Sequence, residues 1–253
     1  MKQILKLIFY YFGYQLGFSA VALILSKFIP MAPITMTSLA MVASTLVMMW
    51  HLLHHKYVKL AGDRYRELTL PVLAVAVVFV FSAMYVLNLL IEQAGIPNTM
   101  EETFLAMSRN PLGILSITLL APLLEELLFR GAIQGELARW GSPWRAIIIS
   151  SLIFGVVHLN PAQIPFAFLL GIIFGWLYYR TGSLLPGIVG HVLNNSVSTV
   201  NMYLYGDATI EEQMQSPAEM WMWAVVAVVV FVVAAKWLDN ALKKSPSEEK
   251  NNQ

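Results

Sequence analysis

The feature that most constrains this chain is a succession of eight apolar stretches of near-spanning length, at about 7–26, 31–53, 70–91, 112–133, 146–159, 163–180, 184–204 and 220–238. A helix needs about 20 residues to cross a hydrocarbon layer of about 30 Å. Lipid supplies no partner for backbone N–H and C=O groups, so segments of this kind must be helical. A protein of 253 residues has too little interior to hide that much apolar chain. Its residues are 58% hydrophobic and only 12% charged, against about 25% charged in an ordinary soluble domain. The expected fold is an all-α membrane protein, a polytopic bundle of about eight transmembrane helices.

Charge placement gives the expected orientation, because lysine and arginine gather in cytoplasmic loops. With the amino terminus inside, only Lys27 and Arg109 fall on the outer side, and the remaining 14 of 16 basic residues fall inside or in the tail. Glu101, Glu102, Asp207, Glu211 and Glu212 occupy the two long outer loops. Both termini are therefore expected in the cytoplasm of a multi-pass protein of the plasma membrane. Lys2 and Lys6 precede an apolar run, as in a signal peptide, but hydrophobicity continues past Ala20 and Ala22 to Leu25, so the segment reads as an uncleaved helix. Asn160, Pro161 and Gln163 mark a turn between the fifth and sixth segments. Residues 1–243 read as a single integral membrane domain and 244–253 as a disordered cytoplasmic tail. A net charge of +1 leaves no footprint for nucleic acid. The absence of cysteine excludes disulfides, thiolate metal sites and a cysteine nucleophile.

Polar groups inside a membrane are costly, and each is a functional hypothesis by default. The fourth segment carries Glu125, Glu126 and Arg130 in the run APLLEELLFRG; the fifth ends FGVVH at His158; the seventh contains HVLNN, with His191, Asn194 and Asn195. Residues four apart share a helix face, so Glu126 can pair with Arg130, and His191 stands one turn from Asn195. Glu125 and Glu126 point about 100° apart and need not do the same job. Amide hydrolysis needs a base for water, donors for the developing oxyanion and an acid for the leaving amine. Glu125 with His158 can polarise a water, His191 and Asn195 can hold the oxyanion, and Glu126 with Arg130 can form a supporting ion pair. The same carboxylate and imidazole groups suit a divalent metal such as zinc, for which Glu125, His158 and His191 are the candidate ligands.

The runs EELLFR at 125–130, FGVVH at 154–158 and HVLNN at 191–195 resemble the three motifs EExxxR, FxxxH and HxxxN of the CPBP family, the CAAX proteases and bacteriocin-processing proteins also called Abi proteins. The resemblance covers about residues 110–205, the expected catalytic core. It implies a bacterial relative of the type II CAAX prenyl protease, an intramembrane endopeptidase acting on membrane-associated protein or peptide substrates. In that family the residue matching Glu125 activates water with the one matching His158, and those matching His191 and Asn195 hold the oxyanion. Both metal-dependent and glutamate-dependent mechanisms have been attributed to the family; the form without a metal is favoured here, with Phe154 shaping the pocket beside His158. The rival readings are a non-catalytic membrane scaffold or bacteriocin-immunity protein and a proton-coupled transporter, for which intramembrane glutamate and histidine are equally suited.

Three further patterns have structural readings. Gly13xxxGly17 and Gly171xxxGly175 are expected to be close helix contacts. His51, His54 and His55 read as a hydrated interfacial stretch rather than a metal site. Trp140, Trp144, Trp176, Trp221, Trp223 and Trp237 lie near segment ends, where an aromatic belt would sit.

Overall fold

The computed structural model describes residues 2–58, 68–206 and 208–243. Its architecture is all-α. Helix α1 spans Lys2–Leu25, α2 Pro33–His54, α3 Leu70–Gln93 and the short α4 Glu101–Ser108. A long composite helix, α5, runs Pro111–Leu137. It is followed by α6 (Pro143–Val156), α7 (Gln163–Thr181), α8 (Leu185–Tyr205), the four-residue α9 (Ile210–Gln213) and α10 (Pro217–Ala241). Each of the eight apolar stretches is thus a helix.

Six of them, α1, α2, α3, α5, α7 and α10, are long and apolar enough to cross a membrane by length and composition. The 14-residue α6 is apolar but short. Helix α8 has the length but carries the polar residues His191, Asn194 and Asn195. The proposed cytoplasmic tail, 244–253, lies outside the described residues, as do Lys59, Arg64 and Arg66 of the loop after α2.

Local sequence explains where the helices begin. Proline at the first helical turn has a suitable φ and lacks a donor that would be orphaned there anyway. It opens α2, α3, α5, α6, α8 and α10. Asn110 caps α5 by accepting from the backbone N–H groups of Leu112 and Gly113, and Ser142 and Ser216 cap α6 and α10. Helix α7 stops at Gly182, whose φ of +67° suits the left-handed cap. The turn expected at Asn160 is present, with the amide of Gln163 donating to its carbonyl at 2.9 Å.

The outward faces confirm the reading of lipid as solvent. Phe9 is 73% exposed, and Val225, Val229 and Val233 form an exposed valine stripe along α10. One apolar core joins Leu7 of α1, Met48 and Leu52 of α2, Leu128 and Ile133 of α5, and Phe154 of α6. A second joins Val80 of α3, Phe174 and Leu177 of α7, and Leu238 of α10. The composite helix α5 and helices α6 to α8 meet between them. Gly13 and Gly17 do not pack as expected: a Cβ on either would meet nothing within 4 Å.

Candidate active site

Helix α5 is not uniformly α-helical. Its turns widen to i→i+5 hydrogen bonding over Ser116–Leu120 and again over Glu126–Gln134. Such turns are uncommon and concentrate at functional sites. The first has a local cause in Pro122, whose ring would clash with the carbonyl four residues back in an ordinary helix. In the wider register the N–H that Pro122 lacks would have met the carbonyl of Ile117. That oxygen is instead reached by Asn195, whose Nδ2 donates to it at 2.9 Å. Asn194 Nδ2 in turn donates to Asn195 Oδ1 at 2.8 Å.

The second widened stretch carries the acidic pair. Glu126 and Arg130 are fully buried and paired at 3.1 Å, as their spacing suggests. His191 Nδ1 lies 3.1 Å from the same oxygen, Glu126 Oε1. Its other nitrogen, Nε2, faces Glu125 Oε2 at 3.5 Å. The two glutamates point in different directions from α5, yet one imidazole bridges them. Their environments differ: the Glu126 side chain is 1% exposed and that of Glu125 14%. Glu125 is therefore the less buried of the two carboxylates.

Phe154 organises the rest. The Arg130 guanidinium lies over its face at 4.3 Å, and the His158 and His191 rings meet it at 4.9 and 5.9 Å, each nearly perpendicular. Phe174 stacks on His191 at 5.0 Å. His158 Nδ1 is 2.7 Å from the carbonyl oxygen of Phe154. A carbonyl only accepts, so Nδ1 must carry the proton and Nε2 of the neutral ring keeps its lone pair. Among the described residues, Glu125 and His158 form no direct hydrogen bond or ion pair with each other; His191 is the partner of both glutamates.

A third polar residue continues the stripe. Gln134 follows Arg130 by four positions, is buried, and donates from Nε2 to the carbonyl of Gly175 at 2.9 Å. Each polar tip occupies a notch made by a glycine. A Cβ at Gly187 would stand 2.7 Å from Glu126 Oε2, and one at Gly175 would stand 2.7 Å from Gln134 Oε1. At Gly171 it would meet Arg130 Nη2 and Phe154 Cδ1, both at 3.2 Å. The Gly171xxxGly175 pair thus makes the close helix contacts expected of it, against Ser151 and Ile147 of α6, which a Cβ at the two positions would meet at 3.0 and 3.1 Å, and also receives polar side chains from α5. The sequence reading overlooked Gln134, Phe174 and Gly187. Gln134 had a signal, since it stands four residues beyond Arg130 on the polar face; the glycine notches depend on other helices and had none.

The site residues gather in two steps. Glu125, Glu126, Arg130, Phe154 and His191 form one contiguous set, His158 joins it through Phe154, and Asn195 lies one turn beyond His191 against Ile117. Among the described residues no group of three histidine, aspartate or glutamate side chains is spaced to hold a metal ion.

Residues 108–197 match the family model described as type II CAAX prenyl endopeptidase Rce1-like. The matched segment contains α5 to α7, most of α8 and all seven residues of the site. Among curated proteins, the Membrane-embedded CAAX protease MroQ of Staphylococcus aureus (strain USA300) is 36% identical over 118 residues, covering 44% of this chain and 47% of that protein. The Putative membrane peptidase YdiL of Bacillus subtilis (strain 168) is 35% identical over 86 residues, covering 34% of this chain and 35% of that protein. The matched region thus spans about half the length of the first relative and about a third of the second.

Proposed function

We propose that the protein is an intramembrane endopeptidase that hydrolyses peptide bonds of membrane-associated proteins or peptides, with a site reached from the cytoplasmic side of the plasma membrane. The observation that carries this reading is the unequal treatment of the two adjacent glutamates. Glu126 is sealed against Arg130 and His191, while Glu125 keeps an open edge. One is held as structure and the other is left available for chemistry. The match of 108–197 to a prenyl endopeptidase family supports the same assignment.

Charge balance makes Glu125 a suitable proton carrier. Two carboxylates and one guanidinium in a poorly hydrated interior leave one negative charge, which is costly to bury. In the proposed reaction, Glu125 takes a proton from water as the oxygen attacks the carbonyl carbon of the peptide. His158 orients that water through its Nε2 lone pair. His191 and the Asn195 N–H that is not used on Ile117 stabilise the oxyanion. The carbon–nitrogen bond then breaks as Glu125 returns the proton to the leaving amine, giving a carboxylic acid and an amine, which exchange the acid proton and depart as carboxylate and ammonium. No step passes through a metal.

Comparing peptide termini across the membrane proteome of wild-type cells and cells carrying Glu125→Ala tests this. The protease reading expects termini that vanish with Glu125. If none does while the protein still exerts its cellular effect, the scaffold reading replaces it. Solute or proton flux in proteoliposomes with no peptide product would establish a transporter.

A further inference from the structure

On the far side of α7 from the glutamates, a groove of about 530 Å³ opens between α3, α6, α7 and α10. That volume falls in the range of about 300–1,000 Å³ common for small-ligand sites. Its walls are apolar: Phe79 stacks on Phe231 at 4.6 Å and meets Trp176 at 5.6 Å, and Ile172 and Ile173 complete the lining on α7. Polar residues occur at one end only, where Lys236, Asp239 and Asn240 lie within about one turn of α10. From Phe231 to Asn240 is about 13 Å at 1.5 Å per residue.

The charges at this mouth are unequally matched. Asp239 is taken by Arg180, whose Nη1 pairs with its carboxylate at 3.0 Å and whose Nη2 donates to its carbonyl at 2.8 Å. Lys243 also approaches Asp239, at 3.6 Å. Lys236 is exposed and has no ion-pair partner among the described residues. Among the described residues, Arg180 and Lys243 thus approach Asp239, while Lys236 lines the same end of the groove. Trp144 and Trp176 line the same groove, and tryptophan concentrates at the headgroup level of a bilayer.

A ligand that fits must be apolar along most of its length and negatively charged at one end. An extended peptide lying here would leave backbone N–H and C=O groups unpaired along apolar walls. An acyl chain has no such groups, and a phosphate diester complements Lys236. We propose that this groove is a binding site for an anionic glycerophospholipid, with one acyl chain against Phe79, Trp176 and Phe231 and its phosphate at Lys236. A second groove of about 620 Å³ lies on the other flank of the α3 and α10 pair, lined by Val78, Phe81, Tyr85, Leu193, Trp223 and Ala227 among others, and carries no charged residue. It provides an internal control.

Native mass spectrometry of the detergent-solubilised full chain, titrated with phosphatidylglycerol and with phosphatidylcholine of the same acyl chains, tests the assignment. One phosphatidylglycerol should be retained about tenfold more tightly than phosphatidylcholine. Lys236→Glu, at an exposed position that leaves packing intact, should abolish that preference. Ala235→Trp should fill the groove and reduce binding of both lipids, whereas Ala227→Trp in the control groove should leave phosphatidylglycerol retention unchanged. Wild-type retention in both Lys236→Glu and Ala235→Trp would overturn the proposal, as would equal retention of the two lipids by the unaltered protein. Loss of retention in Glu125→Ala would also overturn it, by placing the lipid in the glutamate site.

Discussion

Two buried histidines sit in this bundle in opposite surroundings. His191, in α8, is 4% exposed and has a carboxylate at each ring nitrogen. His51, in α2, is 7% exposed and lies among aromatic rings, 4.6 Å from Tyr10 and stacked on Tyr57 at 5.8 Å. Its Nδ1 meets the Tyr14 hydroxyl at 3.0 Å, and its Nε2 has no hydrogen-bond partner among the described residues. Burial alone does not distinguish them. The difference is whether a proton has somewhere to go: around His191 two acids and a guanidinium can redistribute charge, whereas the immediate partners of His51 are phenols and a second imidazole, His55. The first environment suits catalysis and the second suits packing between α1 and α2.

The largest effect that separates the two regions is on rate. Glu125→Gln keeps the size and polarity of the side chain but removes the base, and should lower cleavage in proteoliposomes by about 10²–10⁴-fold with the fold retained. A residual rate within tenfold of wild type would deny Glu125 its role. Next comes the sealed pair: Glu126→Ala leaves Arg130 buried without its carboxylate and should cost about 3–5 kcal/mol in unfolding measurements. The joint replacement Glu126→Gln and Arg130→Met should recover most of that stability without recovering activity. Recovery of both would show that the pair does nothing beyond compensating itself.

Smaller effects are expected from the notches and the aromatic region. Gly187→Ala forces the Glu126 carboxylate aside and should cost about 1–3 kcal/mol with reduced activity. Gly13→Ala, where a Cβ meets nothing, should be neutral or slightly stabilising in a thermal melt. Equal effects at the two positions would refute the notch. Tyr14→Phe removes one hydrogen bond and should cost about 0.5–1.5 kcal/mol, read as a small drop in thermal midpoint with cleavage unchanged.

Much of the helical architecture was legible because apolar run length and proline placement are local signals. The Glu126–Arg130 pair was legible for the same reason, since a four-residue spacing brings two side chains together within one helix. The bridge from His191 to both glutamates was not, because it depends on how α8 lies against α5. Ordinary helix geometry also misjudged α5. Pro122 was visible in the sequence, yet its consequence, a widened turn and a carbonyl at Ile117 filled by Asn195, requires the partner helix to be known. Gly171 and Gly175 show the same limit: the spacing announces a close approach, and only the fold reveals that polar tips occupy it.

The central claim is that proton chemistry resides in the site that gathers Glu125, His158 and His191 and not around His51, and a paired-histidine assay tests it most directly. His158→Phe and His51→Phe are purified and reconstituted side by side, and the release of new peptide termini from a membrane-protein mixture is quantified for each. The account predicts that His158→Phe loses at least a hundredfold in cleavage while His51→Phe stays within twofold of wild type. Equal losses in the two variants, or cleavage that survives His158→Phe and fails with His51→Phe, would contradict it.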